Sequence, residues 1–599
     1  MNLSSAAFFV FALFLGAFGT ARAATPTFPL STLVPGQTGY ALTATASNQI
    51  GRFAVEVLAL QYDAGSGFPL VLVRASGQLI EDAGGVASGM SGSPVYLTRS
   101  GQDALLGAIS FTFPGSTGGL GLVTPIATMR RADPRPDTGR TGKASAFGPT
   151  IDFSRAVPGR TPLLISGLSE RASTFLGPLL AHSLEPLTLP TAGAHGTGDA
   201  YARQDEAFTL QPGSAISVQL VRGDVTVAAV GTLTLLEDGA FWAFGHPLLG
   251  GGPVSLALAP AYVTALVPSR NTPFKLADSG RRVLGSVTQD RPYAISGVVG
   301  QAPAFVPVTL NFSSDAGALS KRFEVAGDER LYAPLFAAAT LQAFDELLEA
   351  RTGGTAELAW DVTLKGGRRV RVLEQTTSPG DLAFAAAGLA AEPLAIFSEN
   401  PFQAADVARV AMSIRYEQTE RVADVVKVVP ERKRLKAGET LFLNVRLQPF
   451  RAEPLVERVR VRLPPKLRGA VTLTVRGGAT PPTGDGDPRP PLSFAELLGA
   501  LESNVQASEL VVEATVTGET RLLTRLSLPY LVSGDELVEL QVQGPKPVKR
   551  PPKPEGTPDT SPDEPPDALP GAEPREDPLE KTPPLEPSVD LGFTSLERP

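Results

Sequence analysis

Gly89-Met90-Ser91-Gly92-Ser93-Pro94 sets a serine between two glycines and closes the segment with a proline. Glycine lets the backbone turn sharply there and hold the hydroxyl outward. The amides of such small residues can face a developing oxyanion. The flanks suit a built loop. Val95-Tyr96-Leu97-Thr98 reads as a short strand, Arg99-Ser100-Gly101-Gln102 as a turn, and Ala104 to Phe111 as the returning strand. Two readings follow. Ser91 is a nucleophile on a tight loop anchored by a hairpin, or the segment is a Gly/Ser turn with no chemistry.

Composition narrows the classes. The chain has 599 residues, enough for several domains, and is 43% hydrophobic and 19% charged, which fits a globular protein. The formal net charge of -8, with no basic stripe interleaved with aromatics, weighs against nucleic acid as a partner. There is no cysteine, so disulfides, a thiol nucleophile and thiolate metal sites are excluded. The histidines are His182, His195 and His246, without an H-x-x-x-H pattern, so neither a metal nor a cofactor is expected.

Residues 1–23 read as a removable signal segment. Ala6 to Phe18 is apolar but short for a membrane span, and Ala21-Arg22-Ala23 fits an A-x-A cleavage site, although no Lys or Arg precedes the apolar run. The mature chain is expected from Ala24 onward, exported to the periplasm, the cell surface or the medium. No later segment reads as long enough to span a membrane.

Residues 24–145 are strand-rich, with Phe53 to Leu60 and Pro69 to Val73 as strands and the Ser91 loop following. Residues 146–307 form a second β lobe. In it Ala215 to Val221 is a strand, and Val225 to Leu236 is another, interrupted by Gly231. Glu237-Asp238-Gly239 is a hairpin turn signal, and Phe241-Trp242-Ala243-Phe244 returns to deliver Gly245-His246-Pro247. Pro247 lacks a ladder donor, so His246 sits where a strand stops. A histidine there is either a packed imidazole or a base. The pairs Glu81/Asp82 and Glu237/Asp238 read as solvated turn ends.

Residues 308–420 read as a β-rich domain containing a helix from Pro334 to Arg351, and 421–543 as a β-sandwich with a helix opened by the capping box Ser493/Glu496. Residues 544–599 are Pro-rich and mostly acidic, a composition that builds no core and is expected to be disordered. The fold class is thus mainly β, with two lobes followed by sandwich domains and a tail.

Three stretches resemble the SpoIVB-type serine peptidase family: Gly84 to Val95, Gly231-Thr232-Leu233-Thr234, and Phe244-Gly245-His246-Pro247. The resemblance covers roughly residues 28 to 310. It implies a chymotrypsin-like module of two β-barrels, with Ser91 as nucleophile, His246 as general base, and the amides of Gly89 and Ser91 as oxyanion donors. The order is permuted, since Ser91 precedes His246 here and the family's histidine motif comes first. The position matching the family's aspartate is Ser76, which leaves Asp82 and Asp290 as substitutes. The expected function is an exported serine endopeptidase acting on polypeptides in a cleft between the lobes. The alternative is a non-catalytic envelope protein that binds polypeptide through that cleft or through the sandwiches.

Overall fold

The computed structural model describes residues 25–63, 67–113, 118–134, 157–158, 161–177, 184–188, 199–269, 272–348, 351–482, 490–516 and 519–543. The segment 1–23 read as a signal, His182, His195 and the Pro-rich residues 544–599 lie outside them.

The chain is mainly β. Its first lobe is built from β1 (Thr38–Ala46), β2 (Gln49–Tyr62), β3 (Pro69–Ser76), β4 (Pro94–Arg99), β5 (Gln102–Thr112) and β6 (Leu120–Pro125). Antiparallel pairing runs β1–β2–β3–β6–β5–β4 and returns from β4 to β1, so the sheet closes as a barrel. Closure leaves no free edge among these strands. Alternate residues point inward: Val55 and Val57 on β2, Val71 and Val73 on β3, and Val95 and Leu97 on β4 fill the interior. Each such burial is worth about 1.5–3 kcal/mol.

Three short strands follow: β7 (Val157–Pro158) against β5, β8 (Thr161–Ser166), and β9 (Leu184–Thr188) parallel to β8. The second lobe comprises β10 (Ala215–Gly223), β11 (Thr226–Glu237), β12 (Ala240–Ala243), β13 (Gly252–Val267), β14 (Phe274–Ser279), β15 (Gly285–Arg291) and β16 (Ala294–Val299). Pairing runs β10–β13–β15–β16–β12–β11 and back to β10, a second closed barrel, with β14 lying on the far half of β13. Gly231 does not interrupt β11. A Cβ there would lie 2.6 Å from Cδ1 of Phe244, so the glycine makes room for that ring. The hairpin turn forms as its residues dictate, with Asp238 at φ 49° and Gly239 at φ 77°.

The barrels meet on an apolar seam. Leu105, Ala108, Ile126 and Met129 of the first pack with Leu235, Trp242 and Ala294 of the second.

The next region is β-rich, with two helices where one was read, and it is continuous with the second barrel. β17 (Phe305–Ser314), β18 (Gly317–Ala326), β19 (Gly354–Leu364), β20 (Arg369–Ser378) and β21 (Val407–Glu417) form a sheet that joins the second barrel through β18 and β10. The boundary drawn between 307 and 308 falls inside β17. Two helices, Tyr332–Leu348 and Leu382–Glu399, pack on each other and contact the strands of this sheet. The second went unread in the sequence because alanines and other apolar residues lie all round it, so its buried positions Ala383, Ala386, Ala387 and Ala390 mark out no distinct apolar face. It corrects the expectation about later spans: its 18 residues are long and apolar enough to cross a membrane by length and composition, and 44% of it is buried inside the protein.

The described strands from Val422 to Gln543 form the expected sandwich. A four-stranded and a five-stranded sheet enclose Leu441, Leu443, Val461, Leu473, Val475 and Leu540. Ser493 caps the helix Phe494–Glu502, its hydroxyl accepting from the Glu496 amide at 3.2 Å.

Candidate active site

Ser91 lies on the loop that enters β4, on the seam between the barrels. Backbone groups in that loop are almost fully engaged. The Ser88 amide donates to Pro273 O, that of Met90 to Ala87 O, that of Gly92 to Ile109 O, and that of Ser93 to Met90 O. The Ser88 carbonyl accepts from Lys275 N, that of Ser91 from Thr232 N, and that of Ser93 from Ile109 N. The Gly89 carbonyl accepts from Thr232 Oγ1 at 2.9 Å and the Gly92 carbonyl from Thr234 Oγ1 at 2.7 Å. Between Ser88 and Ser93 only the N–H groups of Gly89 and Ser91 donate to nothing among the described residues. These are the two amides expected as oxyanion donors. The hydroxyls of Ser91 and Ser93 are also buried without a hydrogen-bond partner. Leaving a buried polar group unpaired costs about 1–3 kcal/mol, so a cluster of such groups marks a place where something else binds.

His246 approaches from the other barrel. Phe244 adopts φ 68°, in the left-handed region that a bulky residue rarely enters, and the Gly245 amide donates to Ala243 O at 2.8 Å across it. This strained turn ends β12 and drives the next residues into the seam. Thr124 Oγ1 of the first barrel donates to Gly245 O at 2.8 Å. The His246 ring lies between Phe111 of the first barrel and Phe244, with centroids at 6.4 and 5.9 Å. Its Nδ1 is 2.7 Å from the Pro247 carbonyl oxygen. A carbonyl only accepts, so in the neutral ring Nδ1 carries the proton and Nε2 the lone pair, the tautomer a general base requires. Thr161 Oγ1 lies 3.5 Å from Nε2.

The two motifs are therefore brought together. Gly92 abuts the start of the histidine turn so closely that a Cβ on it would lie 2.6 Å from Phe244 N. Two expectations fail in detail. The groups do not line an open cleft, since Ser91 is 2% and His246 0% exposed. Nor does Ser91 hydrogen-bond His246, because its hydroxyl has no partner.

The carboxylate substitutes separate. Asp82 sits exposed on the short helix Gln78–Ala83, where Gln78 Nε2 donates to it at 2.6 Å, and it has no place at the buried pair. Ser76 ends β3 in solvent. Asp290 is 1% exposed and accepts from the amides of Leu248, Leu249 and Gly251 at 2.8, 2.7 and 3.3 Å. It ties down the chain just after His246 rather than bonding the ring.

One residue escaped the sequence reading. Lys275 on β14 is fully buried, and its Nζ donates to Thr43 Oγ1 at 2.7 Å and to Thr232 Oγ1 at 3.2 Å. No carboxylate pairs with it among the described residues, and burial alone lowers its pKa to about 7. The only sequence signal was a lysine in phase with buried Ala277 on a six-residue strand. Thr232 and Thr234 were visible within their motif, but their grip on the serine loop was not.

No cluster of His, Asp or Glu able to hold a metal ion occurs among the described residues. No protein-family model matches the chain, and neither a curated protein nor a solved structure is significantly similar to it.

Proposed function

We propose that this chain is a serine hydrolase of the two-barrel kind that cleaves polypeptides outside the cytoplasm. Ser91 is the nucleophile, His246 the general base, and the Gly89 and Ser91 amides the oxyanion donors. The observation that carries this is the pattern of unpaired groups: the buried hydroxyls of Ser91 and Ser93 and two amides, on a loop whose other backbone groups are all bonded, with Ser91 the hydroxyl on the residue whose own amide is free. The resemblance of the serine and histidine motifs to the SpoIVB-type peptidases, and the two closed barrels, point the same way.

The chemistry follows from these roles. A serine hydroxyl is too weak an acid to attack an amide unaided, so the imidazole takes its proton as Oγ bonds to the carbonyl carbon. The carbonyl oxygen gains negative charge and is met by the two amides. The imidazolium then protonates the leaving amine, and water releases the acyl group by the same route. The Pro247 carbonyl fixes the tautomer, as the carboxylate does in a triad. With Ser91 2% exposed, substrate reaches the hydroxyl only after neighbouring segments move.

That same burial, with the unformed bond between Ser91 and His246, favours the second reading, an envelope protein that holds polypeptide without cutting it. A fluorophosphonate probe separates the two. The hydrolase is labelled, and Ser91→Ala abolishes the label. A folded wild-type chain that stays unlabelled leaves only the binding reading.

A further inference from the structure

The serine loop is gripped from the second barrel by a chain of contacts that starts at a buried lysine. The Lys275 amide donates to Ser88 O at 2.9 Å, on the peptide unit whose N–H is the unpaired amide of Gly89. Its stem lies along Gly89, where a Cβ would come within 3.2 Å of the lysine Cβ and Cδ. Its ammonium donates to Thr232 Oγ1, and that hydroxyl donates to Gly89 O. Thr232 holds Ser91 as well, through its amide.

A buried ammonium whose hydrogen bonds go only to two hydroxyls is a costly way to pack a barrel. What it achieves is directional. A threonine hydroxyl that accepts from lysine has its own hydrogen left to donate, and the acceptor in reach is the Gly89 carbonyl.

We propose that Lys275 is a positioning residue for Ser91: through Thr232 it fixes the Gly89–Met90 peptide, which lies between the two peptides that carry the oxyanion donors, and so aims those donors, an inference that rests on the serine-hydrolase reading above. It touches neither substrate nor the reacting atoms. Its effect appears in the rate of the chemical step and not in substrate binding.

The test uses the full chain with two variants and their combination. Lys275→Met keeps the stem against Gly89 and removes the ammonium. Thr232→Val keeps the amide bonded to Ser91 O and removes the bridging hydroxyl. The readouts are the rate of fluorophosphonate labelling and kcat and KM on a p-nitrophenyl ester. Each single variant is expected to lower labelling and kcat by about 10- to 100-fold, the scale of a misaimed group, with KM nearly unchanged. The double variant is expected to fall no further than the weaker single, because both act through one chain of contacts. Wild-type labelling in Lys275→Met, or a double variant that loses the product of the two effects, overturns the inference while the hydrolase reading stands. An unlabelled wild-type chain overturns both. Should Lys275→Met fail to fold, Thr232→Val decides, and labelling at the wild-type rate refutes the proposal.

Discussion

Gly92→Ala tests the contact on which the site depends. Gly92 adopts φ 92°, and a Cβ on it would collide with the Thr232 carbonyl oxygen and lie 2.6 Å from Phe244 N. Both neighbours are backbone, so neither can swing aside. Gly101, at the β4–β5 turn, has φ 78° with nothing within 4 Å of its would-be Cβ. Gly101→Ala therefore incurs only the left-handed strain, about 1–2 kcal/mol. Gly92→Ala incurs that strain plus overpacking of about 1–3 kcal/mol, roughly 2–5 kcal/mol in all. To relieve the clash, the loop must retreat from β11, stretching the bonds from Thr232 N to Ser91 O and from Thr234 Oγ1 to Gly92 O. A displacement near 1 Å costs on the order of 100-fold in rate. Urea titration and fluorophosphonate labelling of both variants measure the two effects. Gly101→Ala should label normally, and Gly92→Ala should be the less stable and nearly unlabelled. Equal stability and equal labelling of the two would refute the close packing of the serine loop against the histidine turn.

Three further outcomes are expected. Ser91→Ala removes an unpaired buried hydroxyl, so its melting temperature should stay level or rise, by up to about 1–3 kcal/mol in stability; a marked fall would mean the hydroxyl has a structural partner. His246→Gln should slow labelling by about 100-fold or more, since the base is lost; an unchanged rate would make His246 a packing residue. Lys275 has a folded pKa near 7, below its ordinary value of 10.5, so between these pH values the unfolded chain binds the extra proton and stability rises with pH. The wild type should gain up to about 1.4 kcal/mol per pH unit over that window relative to Lys275→Met, and parallel curves for the two would show that the lysine does not lose its proton.

Much of the two lobes was legible because their signals are local. The glycines around Ser91, the Asp238-Gly239 turn and the β-favouring runs Phe53 to Leu60 and Pro69 to Val73 act over a few residues, and each formed as read. The helix Leu382–Glu399 was not legible, because alanines and other apolar residues lie all round it and mark out no distinct face. The region after Pro307 was misdivided for a related reason. β17 continues the sheet of the second barrel through β18, and the partner of an edge strand is chosen by the whole fold.

By itself the sequence determined a cysteine-free, strand-built chain, a sharply turned serine loop and a histidine at a strand end. Only the tertiary structure decided that β11 would clamp that loop through Thr232 and Thr234, and that Lys275 would lie buried against Gly89. It alone sent Asp82 to the surface and Asp290 to the amides after His246. The physical reason is range. A turn is set by the torsional freedom of its own residues, whereas burial, and with it the charge state of a lysine or the pairing of an amide, is set by segments 42 positions away for Asp290 and Leu248 and 232 positions away for Lys275 and Thr43.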